Sequence, residues 1–247
     1  MKRLTQAVML LLCSLSAAQA VAPGSSGISF YVLRVIYPES AKNGATLNVN
    51  NKSAAPYLMQ SWIRPVDPNS GEVDLNYGGQ PKMPFIVTPP LARLEANSEL
   101  TLRIRRNGEP LPTDRESVFF ISMKAIPAKK ALSEPAASGQ MALTVVSNMK
   151  LFYRPAGLAT RAVADVASQL RFQREGDVLI AENPTPYWLT FSQLQVGDVA
   201  LGKPALRLMV PPKGQQRYAL PTGTNGKVVW KLIDEDGWDT PGQQQDW

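Results

Sequence analysis

No histidine occurs among the 247 residues, and that one absence removes much of the chemistry open to a chain of this size. General acid–base work by imidazole, a Ser-His-Asp arrangement and histidine metal ligation all go with it. The single cysteine, Cys13, lies within the first twenty residues. The sequence has no Gly-rich phosphate loop, no metal ligands at a usable spacing and no nucleophile elbow. Paired acids do occur in Asp234-Glu-Asp236, a pattern that matches part of a glycosidase site or a calcium loop. A calcium loop needs several more oxygen ligands at set spacing, so the plainer reading is an acidic turn with one residue in a salt bridge. These residues speak against an enzyme and imply neither cofactor nor metal.

What remains is the chemistry of binding, and Gly139 to Tyr153 carries it. Side chains of an extended strand alternate, so Met141, Leu143 and Val145 share one face while Ala142, Thr144 and Val146 share the other. An ordinary strand turns one apolar face to its own core. Here both faces carry apolar residues, which calls for a second protein layer or a partner. At a sheet edge, unpaired backbone groups would add a further invitation to pair. Together the two features are what β-augmentation requires.

The elements around this segment read as strands. Ile28–Ile36 is rich in β-branched and aromatic residues and ends at Pro38. Ala45–Asn50, Tyr57–Ile63, Glu99–Arg105 and Val118–Lys124 follow, several with clear alternation. Pro84–Pro90 is bracketed by prolines and suits an edge. Met141–Val146, running on toward Tyr153, completes a set typical of an immunoglobulin-like β-sandwich. Arg154-Pro-Ala-Gly157 marks the expected domain boundary. Beyond it, strands are expected at Asp177–Ala181, Tyr187–Phe191, Ala205–Val210 and Lys227–Ile233, with a short helix in Ala162–Leu170 and a frayed tail after Gly237. The fold class is therefore all-β, with two sandwiches in tandem: residues 21–155 and 156–247.

Residues 1–20 stand apart. Lys2 and Arg3, the apolar stretch beginning at Val8-Met-Leu-Leu-Leu12 and the small-x-small ending Ala18-Gln-Ala20 form a secretory signal peptide pattern. The apolar run is too short to span a bilayer. Removing this leader leaves a chain without cysteine, whose length permits a sufficient core without disulfides. The formal net charge of +6 includes the two leader cations. Basic residues are scattered among acidic ones, which speaks against nucleic acid as a partner and fits carboxylate-bearing partners equally well.

Several motifs in order give the chain a family resemblance. They are Leu33-Arg-Val-Ile-Tyr-Pro38, Phe85-Ile-Val-Thr-Pro-Pro-Leu91 with Arg93-Leu94, and Leu111-Pro-Thr-Asp-Arg-Glu-Ser-Val-Phe-Phe120. Ile126-Pro127, Lys150-Leu-Phe-Tyr-Arg-Pro155 and Asn183-Pro-Thr-Pro-Tyr187 complete the set. From about Ile28 to Gly237 the chain resembles the PapD-like periplasmic chaperones of the chaperone–usher pilus pathway. The loop of about a dozen residues before Met141, without flanking cysteines, resembles the short-loop subfamily.

The resemblance implies an L-shaped pair of immunoglobulin-like domains in the periplasm, with pilus subunits and an outer-membrane usher as partners. It implies that Arg34 and Lys150 anchor the C-terminal carboxylate of a subunit, a task suited to charge-assisted hydrogen bonds. Met141, Leu143 and Val145 would fill the groove left by the subunit's missing strand, each contributing up to about 1.5–3 kcal/mol. A register slip of one residue would turn that face away. Glu116, Arg154 and Glu235 match positions that bridge the two domains, a structural role. The chain departs from the family in the Gln243-Gln-Gln245 end and in lacking a disulfide in the second domain. Ser147 and Asn148 make the strand polar just before the anchor. An uncovered edge also offers itself to a second copy of the free chain. Two other readings compete: a secreted β-sandwich that binds a ligand or surface through Trp188 or Trp238, and a pilus subunit or adhesin. The second of these would lack a strand, whereas this chain's set of strands reads as complete.

Overall fold

A computed structural model describes residues 27–128 and 144–246. The first half contains nine strands: β1 (Ile28–Phe30), β2 (Arg34–Pro38), β3 (Ala45–Asn51), β4 (Tyr57–Arg64), β5 (Phe85–Thr88), β6 (Leu91–Leu94), β7 (Glu99–Arg106), β8 (Ser117–Pro127) and β9 (Val145–Arg154). They form two sheets, β1-β3-β7-β5 and β2-β9-β8-β4-β6. In β7 the alternation works as expected, with Leu102 and Ile104 fully buried and Thr101, Arg103 and Arg105 exposed. Central strand β8 has β4 on one side and β9 on the other, and its middle is buried on both faces, from Phe120 through Met123. Val49, Leu102, Ile104, Ile121 and Leu151 lie at the centre of the core between the sheets. The proline-bracketed β5 is an edge strand.

The run Ile28–Ile36 is two strands rather than one. β1 pairs antiparallel with β3, while β2 pairs parallel with β9 in the opposite sheet. Between them Tyr31, Val32 and Leu33 cross from sheet to sheet and are exposed. The residues of this run carry no mark of such a crossing, because both halves keep strand composition.

After β9 the chain enters α1 (Val163–Val166) and a 3-10 turn at Ala167–Gln169, within the expected helical stretch. The second half then forms β10 (Arg171–Glu175), β11 (Val178–Asn183), β12 (Phe191–Val196), β13 (Val199–Ala200), α2 (Lys203–Arg207), β14 (Gly214–Ala219), β15 (Val228–Leu232) and β16 (Gln243–Gln245). Its sheets are β10-β11-β14 and β13-β12-β15-β16, closing over Leu179, Leu189, Leu194, Val228 and Trp230.

Three expectations need correction here. Tyr187–Phe191 is extended only through an isolated bridge of Leu189 to Val210, and β12 starts at Phe191. Ala205–Val210 is not a strand; it overlaps α2, which Gly202 caps and Pro204 starts by presetting φ in the first turn. The tail is paired rather than frayed: β16 lies beside β15. Gln245 also accepts the Phe172 N–H at 3.0 Å and donates to its carbonyl at 2.9 Å, so a side chain replaces a strand partner.

Candidate functional site

Strand β9 lives in two environments. β8 accompanies all of it but Arg154, from Val145 opposite Ala125 to Tyr153 opposite Ser117. β2 accompanies only its second half, from Arg34 opposite Lys150 to Pro38 opposite Arg154. Over Val145–Met149, therefore, one side of β9 has no strand partner among the described residues. Burial changes at the same place. Met149, Leu151 and Tyr153 point into the core, whereas Val145, on the same face by alternation, is 53% exposed. The strand has outrun its own sandwich. Met141 and Leu143 lie outside the described residues, so this edge is seen at its last few positions only.

Where β2 begins, two cations stand side by side. Arg34 and Lys150 are register partners. Arg34 Nη1 donates to the Ile233 carbonyl of the second sandwich at 3.0 Å, and its guanidinium lies 5.3 Å from the centre of the Phe152 ring. Its Nε is buried without a hydrogen-bond partner. Among the described residues neither cation has a carboxylate within ion-pair distance. Burial, and then the neighbouring Arg34, push the Lys150 ammonium down to about 8. Burial also lowers Arg34, although Glu116, Glu235 and Asp234 act the other way. Lys150 opens onto a depression lined by Thr190, Phe191, Lys203, Leu206, Arg207 and Ile233, with no acid among them. Two half-buried cations without a counter-ion are costly, and a carboxylate would relieve both through charge-assisted hydrogen bonds.

Four residues further along β9, at Arg154, the chemistry reverses. Arg154 is buried and meets Glu116 (Nε to Oε1, 2.7 Å) and Glu235 (Nη2 to Oε1, 2.7 Å). It also donates to the Ala159 carbonyl and packs over the Tyr187 ring at 4.8 Å. Glu116 comes from the first sandwich and accepts the Trp188 N–H of the second at 2.8 Å, while the Trp188 indole donates to the Glu116 carbonyl. Glu235 accepts the N–H groups of Ala162 and Val163. Burial opposes the Arg154 charge, but Glu116 and Glu235 outweigh it and raise its pKa. Burial likewise opposes the Glu235 carboxylate, and Ala162 and Arg154 together hold it below its usual value. Glu116 is the most enclosed: desolvation pushes it up to about 7 despite Arg154.

The acidic triplet is thus a turn with two ion-paired members. Asp234 accepts the N–H groups of Asp236 and Trp238, and Asp236 pairs with Arg161 at 2.6 Å on the surface. Among the described residues no cluster could hold a metal ion. Trp188 is half-buried between the sandwiches, and Trp238 is exposed. Sequence reasoning missed the partners that the second sandwich supplies: the Ile233 carbonyl, Trp188, and the pairs Glu72–Arg207 and Asp114–Lys213. A backbone carbonyl has no sequence signal, and surface ion pairs between distant segments have little.

Two family models match the chain. Residues 27–159 match the model described as pili and flagellar-assembly chaperone, PapD N-terminal domain, and residues 165–244 match pili assembly chaperone PapD, C-terminal domain. Among curated proteins, the probable fimbrial chaperone SfmC of Escherichia coli K12 is 35% identical over 224 residues, covering 90% of this chain and 89% of that protein. Chaperone protein FimC of the same strain is 36% identical over 219 residues, covering 87% and 83%. Among solved structures, one chain of Salmonella enterica SafA pilin in complex with the SafB chaperone superposes with a TM-score of 0.75 at 32% identity, covering 92% of this chain and 99% of that one. The E. coli chaperone DraB gives 0.73 at 34% identity, covering 90% and 98%.

Proposed function

Because this chain belongs to the PapD family of pili-assembly chaperones, we propose that it is a periplasmic chaperone that holds pilus subunits by a terminal carboxylate and an added strand until an outer-membrane usher receives them. A leader ending at Ala20 would carry it to that compartment. The supporting observation is the junction at Lys150. Arg34 and Lys150, with no acid at ion-pair distance among the described residues, stand where the open edge of β9 meets its closed half.

The physical sequence of events follows from that junction. A client carboxylate entering the cleft replaces lost hydration around both cations and fixes the client's register. The client's terminal strand then pairs with the backbone of Val145–Met149, where β9 has no β2 beside it. Side chains on the face shared by Met141, Leu143 and Val145 enter the client's incomplete core, as that same face enters this chain's own core from Met149 onward. Glu116, Arg154 and Glu235 keep the two sandwiches, and so the two sides of the grip, in fixed relation. The protein acts by binding and not by catalysis.

Co-expression with a pilin encoded beside this gene tests the reading. Wild type should yield a soluble complex, and Lys150→Ala should lose it while keeping the native circular dichroism spectrum. Normal pilin recovery with Lys150→Ala would exclude the carboxylate grip.

A further inference from the structure

We infer that Thr190 is a third contact of the carboxylate grip, placed by the second sandwich in the depression onto which Lys150 opens. The inference rests on the proposed function and extends it to a residue with no charge. Thr190 is only 4% exposed, yet its hydroxyl makes no hydrogen bond in the structure. A buried hydroxyl left unpaired is destabilising, and such groups mark places where a partner is missing. Thr190 lines the same depression as Lys150, together with Lys203, Leu206 and Arg207.

Its backbone is tied into the grip as well. The Thr190 carbonyl accepts the Ile233 N–H at 2.9 Å, and the Ile233 carbonyl accepts Arg34 Nη1. One residue on, Phe191 pairs with Leu232 and is buried in the second core, which holds Thr190 rigidly at the start of β12. Arg34, Ile233 and Thr190 therefore form a chain of contacts from the first sandwich to the second, with Lys150 beside it. Every charge lining the depression is positive, so the missing partner is an anion. A hydroxyl can donate to one oxygen of a carboxylate while the cations hold the other, and that charge-assisted bond is stronger to a free C-terminus than to an amide.

The test uses the full mature chain and a synthetic peptide copying the C-terminal strand of a pilin encoded beside this gene, prepared as free acid and as C-terminal amide. Thr190→Val keeps the shape and removes the hydroxyl. It should weaken free-acid binding roughly tenfold, weaken amide binding less, and narrow the gap between the peptides. Thr190→Ser should behave as wild type. If Thr190→Val does not fold, Thr190→Ala carries the same expectation. Free-acid binding by Thr190→Val within about twofold of wild type, or equal weakening of both peptides, would overturn the inference. Lys150→Ala separates the two levels. If it abolishes acid binding while Thr190→Val does not change it, only the role of Thr190 falls. Should Lys150→Ala bind normally, or wild type bind neither peptide, the grip itself falls.

Discussion

Lys150 and Arg154 lie on the same strand, both at the junction of the two sandwiches, and they have opposite surroundings. Arg154 is enclosed by Glu116 and Glu235 with hydrogen bonds on every side of its guanidinium. Lys150 has only another cation beside it and faces a depression without acids. A buried charge with its counter-ions supplied from within fixes a geometry and accepts nothing further. A half-buried charge without them keeps its demand for a partner, and the fold tolerates that cost because the rest of the core is large. The contrast separates a cation whose partners the fold supplies from the one proposed to bind, more clearly than residue type does.

The largest effect should come from opening the closed site. Arg154→Ala leaves two carboxylates at the interface without their cation, and loss of one partner of a buried ion pair typically costs about 3–5 kcal/mol. Chemical denaturation measures it, and a loss under about 1 kcal/mol would mean that Arg154 is as solvated as a surface residue.

Filling the open site should act in the other direction. Lys150→Met removes a charge that burial disfavours, so melting temperature should rise by a few degrees while pilin capture is lost. A fall in melting temperature would show that the ammonium is already compensated in the free chain.

The same charge sets a pH dependence whose sign can be stated. In the folded chain Lys150 loses its proton at about 8 rather than 10.5. Carboxylate binding should hold below that value and weaken as pH rises through it, by at most about tenfold per unit. Stability of the free chain should move oppositely, rising between those two values because the unfolded chain still holds the proton that the folded one has released. Titrating peptide affinity from neutral to alkaline pH checks the first part, and affinity independent of pH would contradict it.

The smaller effects concern the periphery. Val145→Asp, at an exposed position, should change stability by no more than about 0.5 kcal/mol and still impair pilin capture; unchanged capture would remove this end of β9 from the binding surface. Glu72→Ala breaks an exposed pair with Arg207 of the second sandwich, 2.5 Å apart, and should cost under about 1 kcal/mol. A larger cost would make this contact a second clamp between the sandwiches.

Much of the fold was legible in particular residues. The alternation in Glu99–Arg106 and the proline brackets around Phe85–Thr88 announced their strands and even the edge position of β5. Leu206, Leu208 and Val210 alternate equally well, but Pro204 and a capping Gly202 turn the start of that stretch into a helix. The glutamines at 243–245 read as tail because polar residues give no periodic signal, and their pairing with β15 depends on an edge that exists only after folding. Of the candidate site, the family motifs brought Arg34, Lys150, Glu116, Arg154 and Glu235 into view. Thr190 carried no motif and no charge, and it stands out only through burial without a partner.

The amino-acid sequence alone determined the absence of imidazole chemistry, the strand-rich composition and the two-faced apolar character of the segment leading into β9. These depend on residue type and short spacing, which the chain carries whether folded or not. Tertiary structure decided which cations were neutralised. Arg34 is brought beside Lys150 by a parallel pairing between remote strands, and Glu235 is brought to Arg154 by the packing of one sandwich on another. Electrostatic environment depends on distance and exclusion of water, and neither exists until remote parts of the chain have met.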